Sequence, residues 1–89
     1  MENNRQKVWL AIRRVFGARK SILRFEEAIS GLIISTNDPV RDQGRIVLDF
    51  DTDGQCRIIE ISGDFFTRFE TEIRNKVTEI NEEKVATRG

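Results

Sequence analysis

The 89-residue chain has no histidine and a single cysteine, and its 15 basic residues are balanced by 15 acidic ones. Without histidine, the commonest general base at neutral pH and the usual nitrogen ligand for zinc are both missing. One thiol, Cys56, cannot form an internal disulfide and has no sequence neighbour suited to lowering its pKa, so it reads as a small, half-buried apolar group. Zero formal net charge leaves no global field to attract a nucleic acid or a membrane. No apolar run approaches the roughly 18 residues of a membrane span. The opening MENNRQK lacks the apolar core of a signal peptide, so a cytoplasmic protein is expected. The glycines at 31, 44, 54 and 63 stand apart as punctuation and form no phosphate-cradling run. Asp49, Asp51 and Asp53 alternate into a turn, but a calcium cage needs a folded loop with about six or more oxygen ligands. No enzyme activity, cofactor or metal is expected.

What is present points to a hairpin. Residues 44–61, GRIVLDFDTDGQCRIIEI, contain Asp53-Gly54, a dipeptide suited to a two-residue turn with positive φ. With those two as the turn, Thr52 faces Gln55, Phe50 faces Arg57, Leu48 faces Ile59 and Ile46 faces Ile61. Period 2 then gathers Ile46, Leu48, Phe50, Arg57, Ile59 and Ile61 on one face. Val47, Asp49, Asp51, Cys56, Ile58 and Glu60 fall on the other.

A hairpin is marginal alone, and the chain offers it a helix on either side. Residues 4–29 read as one long helix, kinked or continuous, with Val8, Val15, Ile22 and Ile29 at seven-residue spacing beside Trp9, Phe16 and Leu23. Gly17 is unfavourable there by about 1 kcal/mol relative to Ala, and Ser21 could cap a second segment after a break at residues 16–18. Ser30-Gly31 ends the helix and LIIST, residues 32–36, is the natural third strand. A polar turn around Pro39 follows. The last helix, residues 65–84, is capped by Ser62 or Asp64 and carries Phe66, Phe69, Ile73, Val77 and Ile80 on one face. Its flanks offer Arg68–Glu72, Glu70–Arg74 and Glu72–Lys76 at i,i+4 spacing. The expected fold is a single α+β domain in the order α-β-β-β-α, with a three-stranded antiparallel sheet. At this size only roughly 60–65% of the unfolded surface can be buried, and a helix of residues 4–29 would overhang so small a sheet; both favour a homodimer.

Charge is unevenly placed. Residues 1–24 hold Arg5, Lys7, Arg13, Arg14, Arg19, Lys20 and Arg24 against Glu2 alone, whereas the strand region is acidic. Clustered cations on a helix suit phosphate-backbone contact, which gives affinity without sequence preference. Arg5, Lys7, Arg13, Arg14, Arg19 and Lys20 are the candidate DNA contacts. With no aromatic platform among them, a duplex fits better than a single strand. A protein-binding adaptor, gripping its partner through Trp9, Phe16 and Phe25, is the alternative.

The stretch ISGLIISTNDPVRDQGRIVLDFDTDGQCRIIEI, residues 29–61, resembles the middle of the YbaB/EbfC nucleoid-associated proteins. Gly44, Ile46, Leu48, Gly54, Ile59 and Ile61 fill that family's pattern of glycines and alternating apolar residues. The resemblance implies a homodimer with an intersubunit sheet and projecting helices, located at the nucleoid and binding DNA with little sequence preference. Residues 70–83 are charged where that family's last helix is alanine-rich, and the family's glycine- and methionine-rich tail is absent.

Overall fold

The computed structural model describes residues 4–17, 22–37 and 43–88, with side chains to residue 82. Helix α1, Asn4–Phe16, buries Val8, Ile12 and Phe16, one residue per turn on a single stripe. It does not continue to residue 29. Gly17 takes φ 56, the left-handed conformation in which many helices stop. Leu23–Glu27 is a strand, β1. Its residues alternate, with Leu23 buried and Phe25 half-buried while Arg24 and Glu26 are exposed. The seven-residue spacing therefore marks no continuous seam, since Ile22 and Ile29 both face solvent. Local period 2, rewarded by ladder pairing with the next strand, wins over the longer-range repeat. Ser21, the alternative cap, lies outside the described residues.

The sheet has four antiparallel strands, not three, in the order β1-β2-β3-β4, with β2 Gly31–Thr36, β3 Ile46–Phe50 and β4 Cys56–Ile61. β1 and β2 meet across Ile29-Ser30, closed by the Ala28 N–H donating to the Gly31 carbonyl at 3.0 Å. The polar turn expected around Pro39 falls on residues 38–42, outside those described.

The β3–β4 hairpin forms, but its register near the turn differs from expectation. The Asp51 carboxylate accepts backbone N–H bonds from Asp53 and Gln55, both at 2.9 Å, which fixes Thr52, Asp53 and Gly54 as a three-residue loop. Asp51 pairs with Gln55, and Gly54 at φ 82 supplies the left-handed last position. Phe50 then faces Cys56, Asp49 faces Arg57 and Leu48 faces Ile58. An irregularity between Val47 and Leu48, with Ile59 as the extra residue, absorbs the shift, so Ile46 still meets Ile61. Cys56 and Ile58 therefore join Ile46, Leu48, Phe50 and Ile61 on the covered face. Arg57 and Ile59 turn outward, Ile59 being 60% exposed.

After β4 the chain passes through Gly63, whose φ of 82 starts α2, Asp64–Thr67, with no side-chain cap. Neither Ser62 nor Asp64 caps it. The Ser62 hydroxyl instead donates to Glu60 at 2.7 Å and accepts the Arg45 N–H at 3.1 Å. The final helix is broken at Arg68-Phe69, beyond which α3 runs Glu70–Arg88. That break brings Phe65, Phe66 and Phe69 around Phe16, with ring centroids 5.5, 5.9 and 4.6 Å away. On α3, Arg74 pairs with Glu70 at 2.8 Å as spaced, while Lys76 reaches Glu79 at 3.6 Å rather than Glu72. Ile73 and Val77 complete a core in which α1 and α3 lie together over one sheet face.

Candidate nucleic-acid interface

Lys7, Leu10, Ala11 and Arg14 fall on one stripe of α1 that flanks the buried stripe of Val8 and Ile12. α3 packs beside it and adds Lys76, Glu79 and Ile80. Together these seven residues line a shallow groove of about 280 Å³ between the helices. Leu10, Ala11 and Ile80 are its apolar floor, and Lys7, Arg14 and Lys76 its cations. A second recess, toward the end of α1, is lined by Leu10, Arg13, Arg14 and Gly17. Leu10 is 42% exposed where the two recesses meet.

The structure divides the six cations picked from sequence. Lys7 and Arg14 share the groove, Arg13 borders the second recess, and Arg19 and Lys20 lie outside the described residues. Arg5 points elsewhere. Its guanidinium lies 4.0 Å from Glu27, donates to the Ile29 carbonyl at 3.4 Å and sits 5.9 Å from the Phe50 ring centroid. It ties the start of α1 to the β1–β2 turn. The Arg13 guanidinium lies over the Trp9 ring, 5.7 Å from its centroid. Lys76 escaped the sequence reading because it was read only as a flank partner for Glu72. The signal for it was tertiary, namely which face of α3 meets α1.

Beyond the groove, Asp49 and Glu60 of the strand region are engaged with neighbours. Asp49 is held below its ordinary pKa by a hydrogen bond from Ser30 at 2.8 Å and by Arg57 at 3.2 Å. Glu60 is lowered likewise by Ser62 and by Arg45, 3.4 Å away. Burial, with the Asp49 charge adding to it, pushes the Cys56 thiol up to about 12, so it carries no thiolate near neutrality. Among the described residues no three His, Cys, Asp or Glu side chains gather to hold a metal ion, and no helix is long and apolar enough to cross a membrane.

Fold and groove together define a small α+β domain with a cationic recess between two helices on one face of an antiparallel sheet. No family model matches the chain, and neither a curated protein nor a solved structure matches it.

Proposed function

We propose that the helix layer binds the phosphate backbone of duplex DNA with little sequence preference, through Lys7, Arg13, Arg14 and Lys76. Arg19 and Lys20, next along the chain from α1, extend the cationic run. The observation that carries this reading is the convergence of Lys7 and Arg14 of α1 with Lys76 of α3 on one open groove. A shallow recess lined by Lys7, Arg14 and Lys76 suits a phosphate chain better than a small molecule, which needs deeper enclosure. Arg5 has a structural role in this reading. Of the adaptor alternative's anchors, Phe16 is buried, and Trp9 and Phe25 are half-buried with their rings tilted against each other, centroids 5.5 Å apart. Leu10, Ile22, Ile29 and Ile59 are the large apolar side chains left exposed for a protein partner among the described residues.

The test is an anisotropy titration of a short labelled duplex across a salt series. Four phosphate contacts predict a slope of about −3.6 in log K against log salt, and the K7E/R13E/R14E/K76E variant should lose most of the affinity. Absence of binding at low salt, or binding indifferent to salt and to the charge reversal, would overturn the proposal.

A further inference from the structure

The two edges of the sheet are finished differently. At β4, the Asn81 side-chain amide donates to the Cys56 carbonyl and accepts the Cys56 N–H, each at 3.0 Å, so it occupies the place a neighbouring strand would take. The irregularity at Ile59 distorts the rest of that edge. β1 has neither device. The bonds that close its ends, Ala28 N–H to Gly31 and Asn37 N–H to the Ile22 carbonyl, fix which residues bond inward to β2. By antiparallel alternation these are the even-numbered ones, so Leu23, Phe25 and Glu27 turn their N–H and C=O groups outward. Among the described residues no hydrogen bond reaches those outward groups.

We propose that β1 pairs antiparallel with β1 of a second copy of this chain, about a two-fold axis at Phe25. The charge pattern selects that register. With Phe25 opposite the partner's Phe25, Arg24 faces the partner's Glu26 and Glu26 faces the partner's Arg24, on the uncovered face of the sheet. Both side chains are more than half exposed and form only a same-strand contact at 3.3 Å within one chain, so both can turn to face a neighbouring strand. Registers that keep the outward groups paired must shift the sum of facing residue numbers by two. One such shift sets Arg24 against Arg24, and the other sets Glu26 against Glu26. The register centred on Phe25 is also the one that engages all five residues of β1, and it brings exposed Ile22 opposite the partner's Ala28. The pairing does not depend on DNA binding.

Light scattering over a concentration series tests this. The mass should rise from that of one 10.3 kDa chain toward twice that value. R24E and E26R should each weaken association by about tenfold, because each sets two like-charge pairs face to face. An equimolar mixture of the two variants should recover it, since every facing pair is then of opposite sign. The double swap R24E/E26R should recover it too, and decides the matter if a single variant folds poorly. A single-chain mass up to about 1 mM, a dimer indifferent to both single changes, or no recovery in either the mixture or the double swap would each overturn the proposal.

Discussion

Asn81 holds both polar groups of Cys56 from a different element, and few side chains here do more with so little. An amide is the one side-chain group that donates and accepts from a single plane, as a strand backbone does. Replacing Asn81 with Ala leaves a half-buried N–H and C=O without partners, which costs about 1–3 kcal/mol. Urea denaturation should show that loss as a lower midpoint with an unchanged slope. An Asn81→Asp variant should be destabilised as well, because a carboxylate accepts the N–H but faces the Cys56 carbonyl with no proton to give.

At the scale of elements, glycine geometry decides where pieces can meet. Gly63 starts α2 at φ 82, and a Cβ there would run into the Gln43 carbonyl and Gly44. Gly63→Ala therefore combines backbone strain with a collision against main chain, and should cost about 2 kcal/mol or more. Thermal melting checks it, with Gly17→Ala as a control that has positive φ and open space around it. The same scale shows what could be read from sequence. Strands β2, β3 and β4 and the last helical region announced themselves through alternation, apolar stripes and turn residues. β1 did not, because Leu23 and Phe25 also continue a seven-residue helical series, and only pairing with Gly31–Thr36 separates the two readings. The hairpin register was off by one residue from Leu48 to the turn, because the Asp51 carboxylate lengthened the loop. The groove was half legible: Lys7 and Arg14 sit on one helix, but Lys76 joins them only through packing across some 60 residues of chain. The homodimer expected from overhang loses that argument, since α1 has 13 residues and spans about 20 Å.

For the whole molecule, acid is the revealing variable. Asp49 and Glu60 both titrate below their ordinary values, chiefly through the hydroxyls of Ser30 and Ser62. A lowered folded pKa means that the unfolded chain takes up the proton first as pH falls. The stabilisation is thus complete above the ordinary carboxylate range and is lost as pH drops below about 4, through the folded values. Melting temperature against pH should fall on that acid side, and the fall should be shallower in a Ser30→Ala/Ser62→Ala variant, whose stability near pH 7 is already lower. A dimer built on β1 would set both helix layers on the same side of one continuous sheet, so that a single duplex could engage two grooves and gain from their proximity.

The amide at the β4 rim carries a further consequence. A sheet with two receptive margins can recruit copies without end, and that is the route by which soluble chains become fibres. Here one margin is plugged by the molecule's own side chain. Addition at the other margin uses it up on both participants, so growth stops at two, and removing the plug is the change that would let it run on.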